Sequence, residues 1–462
     1  MEGHPLHRRN FLLHLQARPG YDYPVLLKEP AGERPTVSHL NQLHNEYAMT
    51  RRLADVPGVR RAYAKEGTES HPVLLLEYIQ GQTVSELIQG ASLDIPEKLR
   101  IAVEIAGTLS RIHDRQVMHK DISSGNILVA DDAPRERGVA PGEADVPNEF
   151  GGVYIIDFGI ATTMKQERPG RASTDDALTG SLAYISPEQT GRMNRVVDYR
   201  TDLYSLGVTL YELFTGQLPF QTDDPLEMIH GHIARTPTPP HIVDADIPRP
   251  VSDIILKLLA KNAEDRYQSA RGLQADLRHC LAQLQAAGQP EPFELGRDDF
   301  TGRLQIPQKL YGRQAEIDQL LVAFNRVTQG SAELLLVSGY AGVGKTALVH
   351  EIHKPITANR GYFVEGKFDQ YQRGVPYFAW SQAFIELVNQ WQIESETELA
   401  RWRGAILDAV GQNGQVLIDV IPNLELIIGR QPEVPELGGT ETQNRFNYLF
   451  QRFVRAVATP DH

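Results

Sequence analysis

The chain has 462 residues, 41% hydrophobic and 23% charged, with a formal net charge of −13. That length exceeds what one hydrophobic core supports, so two or three domains are expected, and the acidic balance argues against a nucleic-acid-binding surface. No apolar run approaches the roughly 20 residues of a membrane helix, Met1–Pro5 lacks a signal-peptide head, and Cys280 is the sole cysteine, so a disulfide framework is excluded and a cytoplasmic home is expected.

The first predicted element is a short buried strand, Pro24 to Lys28, carrying a lysine at its end. The run from His44 through Leu53 has helical periodicity and presents Glu46. A second apolar strand, Val73 to Ile79, includes Leu76 and Glu77 and is followed by Gly81. A helix through Leu99, Val103, Ile105, Leu109 and Ile112 then buries one face immediately before a run of short motifs. These are His119-Lys120-Asp121, Asn126, Asp157-Phe158-Gly159 and Ser186-Pro187-Glu188. Phosphoryl transfer requires a base, an amide and a metal-holding carboxylate to converge on one aligned hydroxyl, and Asp121, Asn126 and Asp157 are the candidates.

With these motifs in this order, residues 20–285 resemble a eukaryotic-type serine/threonine protein kinase of bacterial character. The resemblance implies ATP and Mg²⁺ as cofactors and a protein substrate bearing serine or threonine. It places Lys28 on the α and β phosphates, paired with Glu46, and the adenine at Leu76, Glu77 and Ile79. Asn126 and Asp157 would hold magnesium, and Asp121 would orient the hydroxyl. Asp202 resembles the helix aspartate that braces the catalytic loop, and Arg266 the arginine that pairs with Glu188. Gly180-Ser181 resembles the segment typical of the serine/threonine class.

The chain departs from the pattern in three places. No G-x-G-x-x-G precedes Lys28, Ser123 stands where a lysine is usual, and Lys120 replaces an arginine beside the base. The loss of a cation at Ser123 slows transfer, and Lys120 offers a point charge instead of a bidentate fork to an activation-loop phosphate. Thr162, Thr163, Ser173, Thr174, Thr179 and Ser181 are possible acceptors between Gly159 and Ser186. The stretch from Asp131 to Gly152, rich in Pro, Gly and Glu, reads as an inserted surface loop without chemistry.

A break at Gln285 to Pro292 marks a domain boundary, and the residues from Phe293 to Leu310 are expected to serve as a connector. A helix with apolar positions Ile317, Leu320, Leu321 and Phe324 follows. A strand, Leu334 to Val337, is then expected to run into Gly339-Tyr340-Ala341-Gly342-Val343-Gly344-Lys345-Thr346, a G-x-x-x-x-G-K-[ST] phosphate loop. Gly339, Gly342 and Gly344 let backbone N–H groups wrap phosphates, Lys345 reaches the β and γ oxygens, and Thr346 ligates Mg²⁺. Val416 to Asp419 imitates the acidic strand that hydrolysis needs, although its surroundings read as packing helices. Phe446, Leu449, Phe450, Phe453, Val454 and Val457 form one helical face near the end.

Together with the phrases Gln305 to Arg313 and Gly361 to Gln370, this order resembles a narrower family of large bacterial signalling proteins. There a serine/threonine kinase is followed by an AAA-like ATPase and often by sensor and histidine-kinase modules, which are the implied partners. The expected fold class is multidomain. An α+β bilobal kinase-like fold with an incomplete N-lobe spans 1–285, a linker 286–309, and an α/β P-loop NTPase of AAA/STAND-like type, cut before its metal-binding strand, 310–462. The expected function is a serine/threonine kinase in signal transduction, coupled to a regulatory nucleotide-binding domain. The alternative is a pseudokinase platform with the P-loop domain as nucleotide switch.

Overall fold

The structure is a computed structural model. It describes all residues except 1–5, 9–10, 22, 33–34, 91–92, 132–151, 165–181, 191–195, 223, 301–309, 311, 341, 353–355, 357–360, 369–376, 393–395, 436–437 and 460–462. The chain forms two compact units, residues 1–221 with 235–309, and residues 222–234 with 310–462.

The first unit begins with a five-stranded antiparallel sheet: β1 (Leu6–Arg8), β2 (Phe11–Gln16), β3 (Val25–Pro30), β4 (Ala62–Thr68) and β5 (His71–Glu77), in the order β1-β2-β3-β5-β4. Lys28 lies opposite Leu13 on one side and Leu74 on the other, so the lysine stands in the middle of the sheet. Helix α1 (Val37–Arg52) starts at Thr36, whose hydroxyl accepts from the His39 amide, and ends with Arg51 and Arg52 against the carbonyl end of its dipole. Its Leu43 packs with Phe11, Ala62, Leu74 and Leu76 of the sheet. The lysine strand and the glutamate helix are thereby fixed to each other.

The larger lobe is helical. Helix α2 (Val84–Gly90) follows strand β6 (Gly81–Thr83), and α3 (Ile95–Asp114) opens with a reciprocal capping box between Asp94 and Glu97. Helix α4 (Arg200–Thr215) is buried on nearly every side, from Thr201 to Phe214, and stops at Gly216 in the left-handed conformation. Such a helix is an interior post, and Asp202 in its first turn takes the backbone amides of His119 and Lys120. A Cβ on Gly207 would come within 2.7 Å of the Leu258 Cβ, so only glycine lets helix Arg249–Leu258 approach this closely. The hairpin strands Ile127–Ala130 and Val153–Ile155 pair directly, Ile127 opposite Ile155, and most of the inserted loop lies outside the described residues.

The segment expected to be a connector packs against this lobe. After helix Ala270–Ala287 ends at Gly288, Phe293 and Leu295 rest on the core, and the Gly296 amide donates to Asp276 at 2.7 Å. Asp299 then accepts from the Gln268 amide at 2.6 Å and the Ser269 hydroxyl at 2.7 Å, at the start of that same helix. Its close approach depends on Gly272, where a Cβ would meet Asp299 atoms at 2.5–2.6 Å.

In the second unit Trp391 and Trp402 stack at 5.0 Å and, with Phe453, Leu417 and Ile421, form a core between helices Phe378–Trp391, Glu396–Val410 and Gly439–Val457. Phe446, Leu449, Phe453 and Val457 of the last helix are buried, as its periodicity requires. The strand expected at Leu334 to Val337 is not formed: Leu334 and Leu336 are each 86% exposed, and among the described residues the second unit contains helices only. A strand exists only with a ladder partner, and no described extended segment pairs with this one. Val416 to Ile418 lie in a short helix, Gly414–Ile418, with Asp419 exposed at its end.

The docked segment yields a test. Gly272→Ala would gain up to about 1 kcal/mol from helix propensity, but the clash with Asp299 costs about 1–3 kcal/mol. Urea denaturation is expected to show a net loss of stability, and a net gain would mean the segment is not docked there.

Candidate active site

The catalytic loop is held by one carboxylate. Asp202, fully buried in the first turn of α4, accepts the backbone amides of His119 at 2.9 Å and Lys120 at 2.7 Å, and its Oδ2 lies 2.9 Å from His113 Nε2. Burial alone would raise the Asp202 pKa, but the hydrogen bond and charge of His113 outweigh it and hold the carboxyl below its ordinary value. Lys120 sits at φ +66°, a strained conformation for a non-glycine residue, and its two neighbouring amide bonds to Asp202 keep it there. The His119 ring meets Phe158 edge-on at 4.6 Å and its Nε2 is 3.2 Å from the Ile156 carbonyl. The loop is thus tied to the segment that carries Asp157.

Asp121 follows directly, half-buried, with its carboxylate Oδ2 accepting from Asn126 Nδ2 at 2.9 Å; the same amide donates to the Asp121 carbonyl at 2.9 Å. Lys28 Nζ donates to Glu46 Oε2 at 2.6 Å and to Asp157 Oδ1 at 3.1 Å. Burial works against this ammonium, yet Asp157 and then Glu46 more than compensate, so its pKa is raised. Arg60 Nη2 stands 3.6 Å from the other Glu46 oxygen, and the Phe11 ring lies 4.7 Å from Lys28 Nζ. Lys28, Glu46 and Asp157 form one group of contacts and Asp121 and Asn126 another, and the backbone joins them where the Ile156 amide, just before Asp157, donates to the Asn126 carbonyl at 3.0 Å.

Leu76, 1% exposed, lies opposite Leu26, and Glu77 ends β5 with its amide bonded to the Arg61 carbonyl at 2.8 Å. Ile79 packs on Ala130, Tyr154 and Ile156. Leu76 and Ile79 thus belong to two separate apolar clusters, the second of which includes Ile156, the residue before Asp157. The register of β1 on β2 brings Arg8 opposite Phe11, so only two residues separate the strands before Lys28. The two residues that join them, 9 and 10, lie outside the described residues, and no glycine occurs between Leu6 and Gln16.

Glu188 and Arg266 form a buried two-pronged pair at 2.7 and 2.8 Å, and Arg266 also donates to the carbonyls of Arg200, Ala260 and Lys261. Burial opposes the Glu188 charge, but Arg266 outweighs it and the carboxyl pKa is lowered. Gln189, next in sequence, donates to the Lys120 carbonyl at 2.9 Å, which joins this anchor to the catalytic loop. Ser123 is buried, and Ser124 Oγ is 2.8 Å from the Tyr184 hydroxyl, itself bonded to Glu212. Thr162 and Thr163 form a short strand; Ser173, Thr174, Thr179 and Ser181 lie outside the described residues.

In the second unit Gly342 and Gly344 adopt φ of +80° and +92°, values that suit glycine, and Gly344 leads into helix Lys345–His350. Gly339 and Thr346 are exposed, and Lys345 Nζ donates to the carbonyls of Gly339 and Tyr340, both at 2.9 Å. The lysine curls over its own loop. Asp419, at the end of a helix and bonded to Gln415, is not brought to it by a strand.

Sequence reasoning missed His113, Arg60 and Phe11. A histidine on an apolar helix face reads as core, and Arg60 and Phe11 come to Lys28 only through strand pairing.

Comparison with known proteins places this geometry. The protein kinase domain family matches residues 23–277, more than half of the chain, and the AAA ATPase domain family matches residues 309–462. A hybrid signal transduction histidine kinase G of Dictyostelium discoideum is 39% identical over 302 residues, 61% of this chain and 9% of that protein. A probable serine/threonine-protein kinase of Clostridium perfringens is 33% identical over 205 residues, 44% of this chain and 27% of that protein. Serine/threonine-protein kinase PknB of Mycolicibacterium smegmatis is 31% identical over 208 residues, 45% of this chain and 30% of that protein. The chain thus corresponds to under a third of each of these relatives. Among the described residues no helix is long and apolar enough to cross a membrane.

The Glu188–Arg266 pair is the clearest stability test of this site. Arg266→Ala strands a buried carboxylate and is expected to lower the stability of the first unit by about 3–5 kcal/mol, measured by urea unfolding. A loss under about 1 kcal/mol, typical of an exposed pair, would contradict the anchoring role.

Proposed function

The chain belongs to the protein kinase family, and on that premise we propose that its first unit transfers the γ-phosphoryl group of ATP to serine or threonine hydroxyls of a protein substrate. The observation that carries this reading is the contact of Lys28 with both Glu46 and Asp157, together with an Asp121 carboxylate held by Asn126. The serine/threonine preference is supported by the names of the bacterial relatives.

In this reading Lys28, steadied by Glu46, holds the α and β phosphates, while Leu76, Glu77 and Ile79 receive the adenine through the backbone and apolar side chains. Asp121 accepts the proton of the attacking hydroxyl, its carboxylate aimed by Asn126. The Asn126 amide and the Asp157 carboxylate are hard oxygen donors and suit Mg²⁺. When bound, the ion neutralises charge on the transferring phosphates. In the second unit Gly339, Gly342, Gly344 and Lys345 would cradle a second nucleotide, with Thr346 toward its Mg²⁺, as a regulatory site of signal transduction. A cytoplasmic location and coupling to sensor or histidine-kinase modules belong to the same proposal.

One observation favours the pseudokinase platform instead. The sequence before Lys28 carries no G-x-G-x-x-G to roof the phosphates, and Ser123 supplies no cation.

Transfer of labelled phosphate by the full chain separates the two readings. In a Lys345→Ala background, so that signal comes from the first unit, label on serine or threonine is expected. Adding Asp121→Ala is expected to reduce it by about 10²–10⁴-fold. Nucleotide binding with no Asp121-dependent transfer would establish the platform.

A further inference from the structure

Asn45 precedes Glu46 on helix α1, and adjacent helical side chains diverge by roughly 100°, so the two reach different targets. Glu46 takes Lys28. Asn45 Nδ2 lies 2.8 Å from the Ala161 carbonyl, 3.0 Å from that of Gly159 and 3.3 Å from that of Phe158. Two N–H bonds are thus shared among three converging carbonyls, all within four residues of Asp157. Gln42, one turn earlier, packs against the same bend, where a Cβ on Gly159 would stand 3.5 Å from its Cβ. The bend itself is closed by the Ala161 amide donating to Phe158 at 3.2 Å.

Asp157 meanwhile holds φ of +69°, which a non-glycine residue keeps only when its surroundings over-determine it. Its side chain is fixed through Lys28 to Glu46, and the backbone after it is fixed to Asn45. Two neighbouring residues of one helix therefore clamp it from both sides. Asparagine suits this position because its amide supplies two N–H donors, which aspartate and serine lack, and an uncapped cluster of three carbonyls would repel itself.

We infer that Asn45 is a positioning residue for the metal-holding carboxylate, coupling the place of helix α1 to the ability of Asp157 to hold Mg²⁺ against ATP. The inference rests on the kinase reading above. When α1 is seated, Asn45 locks the 158–161 backbone and Asp157 is presented. When α1 moves away, Glu46 and Asn45 leave together, and the lysine pair and the metal carboxylate are lost in one event.

The test uses the full chain with Lys345→Ala as parent and a fluorescent, non-hydrolysable ATP analogue titrated at varied Mg²⁺. Asn45→Asp keeps the shape and removes the donors; Asn45→Ala removes both. Each is expected to raise the Mg²⁺ concentration at half-saturation about tenfold, consistent with one to two lost hydrogen bonds. Affinity in EDTA is expected to change less than twofold and the thermal midpoint to stay within a few degrees. Asn45→Asp behaving as the parent, or equal losses with and without Mg²⁺, would overturn the inference while leaving the kinase reading intact. A parent whose nucleotide binding ignores Mg²⁺ would overturn both.

Discussion

The buried carboxylate of Asp202 is the point from which the catalytic loop is suspended. Placed at the start of a helix enclosed by the C-lobe core, it cannot move, and its two oxygens take two consecutive backbone amides of the loop and face the His113 ring. Hydrogen bonds to a charged acceptor contribute about 1.5–3 kcal/mol each. That is enough to offset the cost of about 1–3 kcal/mol for a strained backbone such as Lys120. Asp121 is next in the chain, so the position of its backbone follows from a contact made elsewhere, and the proposed base would inherit its place from the core.

Two further buried ion-pair groups serve different ends. Glu188 and Arg266 are closed on each other and on surrounding carbonyls, a fully satisfied arrangement that fixes where the activation segment re-enters the lobe. Lys28 is placed between two carboxylates belonging to different lobes, so its attraction to both depends on how α1 and the Asp157 segment are seated. The first pair is suited to holding a structure and the second to reporting a conformation. In the second unit Lys345 bonds the carbonyls of its own loop.

Much of this site was legible in the sequence because its chemistry dictates residue identity. The expected base, amide and metal carboxylate leave little freedom in residue identity; the structure pairs Asn126 with Asp121 and sets Asp157 against Lys28. Helices were readable where apolar periodicity was long, as in Ile95–Asp114. The failures share one cause, which is that β pairing and close approach are non-local. Leu334 to Val337 has the composition of a strand but no strand partner among the described residues, and the pairing of Lys28 with Leu13 and Leu74 emerges only from register. Phe293 to Leu310 reads as a connector, yet Phe293 and Leu295 pack on the core and Asp299 finds its partners, Gln268 and Ser269, at the start of the preceding helix. His113 and Asn45 left no signal, since each looks like an ordinary helical residue until the fold shows what it faces.

Whether the core places the base is measured most directly by a double-mutant cycle on phosphotransfer rate. Asp202→Asn, Asp121→Asn and the double variant would be compared well below their unfolding midpoints. If Asp202 acts by positioning Asp121, each single change slows transfer and the double is no slower than Asp121→Asn alone. Losses that multiply in the double variant would show that Asp202 acts independently of the base, and would contradict placement of the base by the core.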